Sequence, residues 1–316
     1  IYFKGGPVPL TIAPSVTVGT EPVVYLYGAN GATISDYVLT TKSTPTNLGK
    51  IVVAASKSVK ILNNTIAGVG GETGCGAGSS CVGGDAVGIR VSDCTDCEIA
   101  ANDVSGVTGG TGGGSGSDWI GGSTGGTAAG ILFTGGCTGT TAHGNTLHAL
   151  TGGRGGKGVG RVAGDGGKAA GVRLAASGVS LYENTISGVT GGKGGSCWPV
   201  SGVGGVGAGL LIGAGTTANS VATTTLTPIA GGAGQQPFGL FFESGATDVK
   251  VAPTTTLNGN PILYMYGASN KTLSGYVLTA AGNPTNFGKI AVFKSSGIVV
   301  SGNTLPTFTG AAGCTG

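Results

Sequence analysis

Apolar residues alternate with polar ones along most of the chain, in stretches of only three to five residues. Pairs such as Ile51 and Val53, Val59 and Ile61, or Val179 and Leu181 have the two-residue period of a half-buried strand, not the period of a helix. Gly, Ser, Asn and Asp separate the stretches, and these residues favour sharp turns. The pattern therefore predicts an all-β chain with many short strands and almost no helix.

One phrase recurs along the chain: a Gly, an apolar pair, a small polar corner, a second alternating stretch, and then Asn-Thr with an apolar residue. It begins at Gly49, Gly88, Gly130, Gly171, Gly209 and Gly288. The Asn follows the Gly by 13 to 15 residues, at Asn64, Asn102, Asn145, Asn184 and Asn303, and Thr224 takes its place in the phrase from Gly209. Such a constant length is typical of the rungs of a solenoid.

The first 77 residues occur twice. Shifting the sequence by 239 positions superimposes residues 1–77 on 240–316 with 29 identities. Two further phrases, at 10–18 and 23–39, precede Gly49, so seven rungs are predicted for a 239-residue unit. We expect 1–239 to be one complete unit and 240–316 the first third of the next, continuous with it, in a longer tandem array.

The NNTI, ENTI and GNTL phrases with their preceding strands resemble the coils of the right-handed parallel β-helix family, the pectate-lyase-like fold that also occurs in bacterial surface proteins. The resemblance covers almost the whole chain and implies a right-handed β-solenoid. It also implies that Asn64, Asn102, Asn145, Asn184 and Asn303 form a stacked ladder in which their amides satisfy backbone groups at a bend. Thr224 interrupts that series.

Gly-rich insertions leave each rung after the Asn corner, at about 67–87, 105–129, 148–170, 187–208 and 227–238. They are either flexible loops or, as their similar lengths favour, extended segments packed like polyglycine II, since only Gly lets backbones approach so closely. Trp119, Ile120 and the Trp198-Pro199 pair are the expected anchors of such a bundle.

Composition excludes several classes of protein. Gly accounts for 69 of 316 residues without the strict period of collagen, and 39% of residues are hydrophobic, which is too many for a disordered chain. A net charge of +3 does not indicate binding to nucleic acid or to an anionic membrane. The sequence also contains no apolar run long enough to span a bilayer. No cofactor is predicted.

Seven cysteines fit an oxidising compartment better than a zinc site. Cys94 and Cys137 each precede their Asn by eight residues and should be neighbours on adjacent rungs, as a disulfide or as two stacked thiols. Cys97 aligns with core positions and is expected to be a small apolar side chain. Cys75 and Cys81 share one insertion and are positioned to close a loop.

Candidate chemistry is sparse. The single acidic cluster is Asp93, Asp96, Glu98 and Asp103, and only Asp93 and Asp96 are expected to converge, as a weak Ca²⁺ site. His143 and His148 have no acidic neighbour in sequence and are expected at exposed corners. Lys50, repeated as Lys289, is expected to be a solvated lysine at a strand edge.

These observations predict a structural protein and not an enzyme: an extracellular fibre, stalk or surface filament whose partners are further copies of itself, end to end. The first alternative is a carbohydrate-binding adhesin segment that uses Tyr25, Tyr27, Trp119 and Trp198. The second is a polysaccharide lyase or hydrolase. Ice binding would require regular ranks of Thr across rungs, and in the sequence Thr is clustered only in local runs at 223–225 and 254–256.

Overall fold

The computed structural model of the chain describes residues 2–6, 11–12, 24–40, 49–75, 81–114, 121–159, 162–197, 200–213, 216–217, 219–233, 238–243, 246–252, 254–257, 260–261, 263–267, 269–278 and 290–305. Within these ranges there are 29 strands and no helix, so no helix there is long and apolar enough to cross a membrane. The predicted all-β class is confirmed.

Three sheets run along the stack, and strands are numbered in chain order. The first contains β1 (Tyr2–Gly6), β3 (Val24–Ala29), β6 (Ile51–Ala54), β9 (Ala86–Ser92), β12 (Ala128–Gly136), β15 (Ala169–Ser177), β18 (Gly207–Ile212) and β22 (Phe238–Phe242). The second contains β2 (Thr11–Ile12), β4 (Thr33–Ser35), β7 (Lys60–Leu62), β10 (Glu98–Ala100), β13 (Thr141–His143), β16 (Ser180–Tyr182), β19 (Ser220–Ala222), β23 (Val249–Val251), β26 (Leu263–Tyr266) and β28 (Ile290–Phe293).

The third sheet contains β5 (Val38–Leu39), β8 (Thr65–Ala67), β11 (Asp103–Ser105), β14 (Thr146–Thr151), β17 (Thr185–Thr190), β20 (Thr225–Leu226), β24 (Thr256–Leu257) and β25 (Asn260–Pro261), with β21 (Ile229–Ala230) also paired to β17. A two-stranded sheet pairs β27 (Thr272–Ser274) with β29 (Val299–Ser301). From β3 to β20, strands of the three main sheets follow one another in turn along the chain, so each of these circuits contributes one strand to each sheet.

Apolar columns fill the interior because parallel pairing puts equivalent residues of successive circuits in register. In the first sheet, Ile51 pairs with Ile89, Ile89 with Ile131 and Ile131 with Val172, and all four are fully buried. Parallel strands lie about 4.8 Å apart, so these side chains pack in van der Waals contact along the axis. The chain is thus a parallel β-solenoid, as the coil resemblance implied.

A single residue in the left-handed conformation makes the bend before each Asn corner. Asn63, Ala101, Gly144 and Glu183 have φ of 56°, 54°, 60° and 56°, and each directly precedes a ladder Asn. Non-Gly residues adopt this conformation only at an energetic cost. The cost recurs in every circuit because the bend must turn the chain from the second sheet into the third.

The second copy begins on the stack and then departs from the first copy's arrangement. β18 and β22 pair in parallel, with Leu210 opposite Leu240, but β26, the counterpart of β3, pairs antiparallel with β23. A hairpin between β24 and β25 precedes this reversal, with Leu257 opposite Asn260. At 258–259 the sequence has Asn-Gly, a pair that favours two-residue hairpin turns, where the first copy has Gly-Thr.

Candidate functional site

Four side chains from successive circuits form a column on the outer face of the second sheet. Lys60 Nζ lies 2.9 Å from Glu98 Oε2, and Glu98 Oε1 lies 3.1 Å from His143 Nε2. The imidazole of His143 stacks on the Tyr182 ring, with centroids 4.6 Å apart and planes within 4°. We refer to Lys60, Glu98, His143 and Tyr182 as the outer column.

Strand alternation explains why these side chains point outward. Glu98 flanks Ile99, which is fully buried, and the sheet register places Glu98 opposite Lys60 and Ala100 opposite His143. The small Ala100 therefore leaves His143 room to contact Glu98 diagonally across the rung.

A hydrogen bond from Lys60, and a weaker one from His143, hold the pKa of Glu98 below its usual value.

This geometry suits proton transfer. When the hydrogen of the imidazole is on Nε2, the ring donates it to the Glu98 carboxylate, and the lone pair of His143 is on Nδ1. A carboxylate that orients an imidazole in this way is the usual arrangement of a histidine general base. The imidazole contacts Glu98 diagonally across the rung and remains partly exposed, with 24% of the His143 side chain accessible to solvent.

The expectation that the two histidines lack acidic partners is wrong. His143 contacts Glu98, and His148 Nε2 lies 3.1 Å from Asp103 Oδ1. Both partners lie 45 residues away along the chain, in the preceding circuit. Counting back from the ladder Asn of each circuit would have revealed the neighbours, since Glu98 is four residues before Asn102 and His143 is two before Asn145.

Asp93 and Asp96 lie at a corner of their circuit, both in the left-handed conformation with φ of 49° and 54°. Asp93 Oδ1 accepts a hydrogen bond from the N–H of Gly136 at 3.0 Å. The Asp96 carboxylate occupies the space that a side chain at Gly139 would need. In the described ranges no group of three or more His, Cys, Asp or Glu residues is placed to hold a metal, and Ca²⁺ at this corner stays a prediction.

The five Asn residues are placed at equivalent corners. In the central series, the side-chain amide of each Asn donates to Oδ1 of the next, from Asn64 to Asn102, Asn145 and Asn184, at 2.9 Å each time. The same amides reach back to a carbonyl of the previous circuit. Thr224 instead donates to its own circuit, at Ala222 O.

Asn303 repeats the contacts of Asn64 at a distance of 239 residues. Its Oδ1 accepts from the N–H of Tyr276, and its amide donates to Leu273 O. Asn64 is bonded in the same way to Tyr37 N–H and to Ile34 O. The corner chemistry is therefore the same in both copies, despite their different strand pairing.

Of the two expected cysteine pairs, Cys94–Cys137 is not formed and Cys75–Cys81 is formed. Cys94 is bonded to Cys97 within one corner, so the proposed Cys94–Cys137 bridge is wrong, and Cys97 is not an isolated apolar thiol. Cys137 is a buried thiol whose pKa is raised by burial. Cys75 and Cys81 are joined by a second disulfide within their insertion.

Lys50 is buried and not solvated, contrary to expectation, with only 1% of its surface exposed. Its Nζ donates to Leu39 O at 3.0 Å and to Ala67 O at 2.7 Å. Burial lowers its pKa to about 8. The sheet register explains the error: Ile51 pairs with Ile89, so Lys50 occupies the inward position that Gly88 has in the next circuit, and the ammonium finds carbonyl groups at the turn.

The Gly-rich insertions form an ordered hydrogen-bonded bundle. Each has an outgoing arm and a return arm, and backbone N–H groups bond them alternately: Gly110 to Gly84, Gly126 to Gly110, Gly153 to Gly126, Gly167 to Gly153, Gly192 to Gly167 and Gly205 to Gly192. Other N–H groups bond to the matching arm of the adjacent circuit, such as Gly112 to Arg154. Trp119, Ile120, Trp198 and Pro199 lie outside the described residues.

Threonines form ranks across the circuits, which the sequence alone did not reveal. Thr146, Thr185, Thr225 and Thr256 are paired in register on the third sheet. Five residues further along each circuit, Thr108, Thr151 and Thr190 form a second rank. The second rank directly precedes the outgoing arms, so the face of the third sheet continues into the Gly-rich bundle.

No protein-family model and no curated protein matches the chain. Similar solved structures include a pectate lyase variant from Xanthomonas campestris (12% identity, TM-score 0.32, 89% of this chain and 66% of that one) and the periplasmic alginate epimerase AlgG (11%, 0.40, 94% and 65%). DFA-IIIase from Arthrobacter chlorophenolicus A6 is also similar (12%, 0.27, 77% and 60%). The chain thus spans less than two thirds of the length of these proteins.

The expectation that the chain is not an enzyme is contradicted by these similar structures, which are enzymes. At this level of identity the likeness concerns the fold alone, so the reaction has to be argued from the residues of this chain.

Proposed function

We propose that the outer column acts on an acidic polysaccharide as a lyase, with His143 as the general base. The observation that carries this proposal is the hydrogen-bonded Glu98–His143 pair, flanked by Lys60 on one side and Tyr182 on the other. A polysaccharide lying along the solenoid would cross all four side chains.

The protonation state of Glu98 favours elimination over hydrolysis. Glycoside hydrolases need a carboxylic acid that is protonated near neutral pH, together with a second carboxyl group. Glu98 has a lowered pKa and is therefore charged at neutral pH. β-Elimination needs a base, which removes the proton on the carbon next to a uronate carboxylate.

The residues divide the work as follows. Glu98 holds the imidazole by Nε2, and Nδ1 of His143 accepts the proton from the sugar carbon. The electron pair of that C–H bond forms a C=C bond, and the glycosidic oxygen leaves with a proton taken from water. Lys60, with 54% of its side chain exposed, adds positive charge beside the anionic sugar, and Tyr182 fixes the plane of the imidazole by stacking.

The test uses polygalacturonate and alginate, with the absorbance of the unsaturated product as the readout. His143→Ala should lower the rate by about 100-fold or more, and Glu98→Gln should lower it as well. The matched control is His148→Ala, which removes the histidine of the neighbouring pair with Asp103. An equal loss in the control, or no unsaturated product from either polymer with the unmodified chain, would refute the lyase.

A second candidate is a unit of an extracellular tandem fibre. In its favour, the parallel ladder crosses the boundary between the two copies, with Leu210 opposite Leu240 and Ile212 opposite Phe242. The two disulfides are typical of oxidising compartments. Such a fibre has to accommodate β26, because β26 pairs antiparallel with β23.

The fibre model predicts the length of the axial repeat. Seven rungs at about 4.8 Å give an axial repeat of about 34 Å per unit. Electron microscopy or fibre diffraction of the native assembly measures this repeat directly. A compact single particle, or a repeat far from that value, would contradict the fibre.

A further inference from the structure

Three cations are grouped on the outgoing arms of the Gly-rich bundle. The N–H of Gly112 donates to Arg154 O and that of Gly155 donates to Lys193 O, both at 2.8 Å. This register places Arg154 beside Lys193 on the adjacent arm. Lys157 follows Arg154 by three residues on the same arm, about 9 Å away if the rise is that of an extended three-fold helix.

The Gly-Gly-x repeat forces these side chains outward. Gly152, Gly153, Gly155 and Gly156 are buried, and a side chain at any of them would collide with the backbone of a neighbouring arm. Every third residue is free of that constraint, and Arg154, Lys157 and Lys193 are all exposed. The cations are therefore displayed on one surface by the packing of the backbone itself.

None of these three cations takes part in an ion pair within the described part of the chain. Cations held in register on adjacent arms repel each other, and a bound anion relieves that repulsion. A cavity of about 260 Å³ lies between the arms, lined by Thr111, Arg154, Lys157 and Gly backbone. Charge and shape together indicate a site for an anionic group.

Hydroxyl groups next to the cations restrict the ligand further. The rank of Thr108, Thr151 and Thr190 lies three residues before Thr111, Arg154 and Lys193 respectively, on the same arms. A ligand that crosses both rows meets a hydroxyl and then a cation in the circuits of Thr151 and Thr190. A sugar polymer that carries carboxylate or sulfate groups matches both rows, whereas a lipid headgroup layer or a nucleic acid backbone uses mainly the charges.

We propose that Arg154, Lys157 and Lys193, with the adjacent Thr rank, form a docking strip for an acidic polysaccharide. The strip lies on the outgoing arms, beyond the third sheet, and the outer column lies on the second sheet. The docking strip therefore does not depend on the proposed lyase activity and stands if that activity is absent.

The experiment measures binding to polygalacturonate and to a sulfated polysaccharide, with dextran as the uncharged comparison, in a His143→Ala background so that no turnover interferes. The double variant Arg154→Gln/Lys193→Gln should weaken binding by about tenfold or more. The control Lys57→Gln/Lys250→Gln makes the same change in net charge at two other exposed lysines, and it should change binding by less than about twofold. Binding should weaken as salt increases.

Several results would overturn the docking strip. Equal weakening by the two double variants would mean that net charge and not the strip is responsible. Equally tight binding to dextran would exclude recognition of charge. Duplex DNA or anionic vesicles that bind as tightly as the polysaccharides, with the same sensitivity to Arg154→Gln/Lys193→Gln, would assign the strip to another class of partner. Circular dichroism and thermal unfolding of each variant establish that the fold is kept.

Discussion

Asn102 and Asn145 are joined by two hydrogen bonds to one oxygen: the backbone N–H and the side-chain amide of Asn102 both donate to Oδ1 of Asn145, at 3.0 and 2.9 Å. The same amide also donates to Ile61 O at 2.9 Å. One side chain thus links three successive circuits. All of these groups are buried, where a polar group without a partner is costly.

Replacing Asn102 with Ala should therefore lower the free energy of unfolding by about 2 to 4 kcal/mol, because several buried polar groups lose partners at once. Chemical denaturation measures the change. Thr146→Ala is the matched control: Thr146 pairs with the residue after Asn102 but is exposed, and its replacement should cost less than about 0.5 kcal/mol. Similar costs for the two variants would argue against the ladder.

The Gly-rich bundle predicts opposite outcomes at two glycines. A Cβ at Gly153 would collide with Gly110 O and lie 2.7 Å from the backbone nitrogen of Gly126, whereas at Gly114 the nearest atom is Lys157 O, at 3.8 Å. Gly153→Ala should destabilise the bundle by about 1 to 3 kcal/mol and accelerate hydrogen exchange there. Gly114→Ala should have little effect. Equal exchange rates in the two variants would mean that the arms are not packed closely.

Lys50 predicts a rise of stability with pH. Its pKa is lowered from 10.5 to about 8 in the folded chain, so between these values the unfolded chain binds more protons than the folded one. Stability due to this group therefore increases as pH rises through 8, by about 2 kcal/mol between pH 7 and 10. Denaturation of the unmodified chain and of Lys50→Met at both pH values isolates the effect, since other groups contribute equally. If the difference in stability between the unmodified chain and Lys50→Met is the same at pH 7 and at pH 10, the prediction is wrong.

The cysteine pairing predicts a specific peptide map. Digestion without reduction should yield Cys94 linked to Cys97, and Cys137 should react with an alkylating reagent only after unfolding, because it is buried and its pKa is raised. The variant Cys94→Ala/Cys97→Ala should lose about 2 kcal/mol of stability, as expected for a disulfide that closes a short loop. A peptide that links Cys94 to Cys137 would contradict this pairing.

The solenoid and its corner ladder could be predicted from the sequence because both depend on local rules. The alternation of Ile51 with Val53 fixes the inward face of a strand, and the nearly constant spacing from Gly to Asn fixes the part of each circuit that leads to the Asn corner. Because this part has nearly the same length in each circuit, parallel stacking brings Asn64, Asn102, Asn145 and Asn184 together. The Gly-Gly steps likewise define where backbones are able to approach closely.

The candidate site was missed because its residues are far apart in sequence and meet diagonally. Glu98 and His143 are separated by 45 residues and occupy different positions in their circuits, and their contact depends on the small Ala100 between them. Lys50 was misjudged for a related reason, since its inward direction follows from its register with a glycine of the next circuit.

The sequence by itself thus determined the period, the strands and the chemistry of the corners, because these depend on neighbouring residues and on repetition. Only the tertiary structure decided which outward side chains of different circuits lie side by side: Glu98 with His143, Arg154 with Lys193, and the Thr ranks. It also decided that Cys94 pairs with Cys97 and that β26 reverses direction. These outcomes depend on side-chain direction and on strand register, which alternation and spacing do not specify.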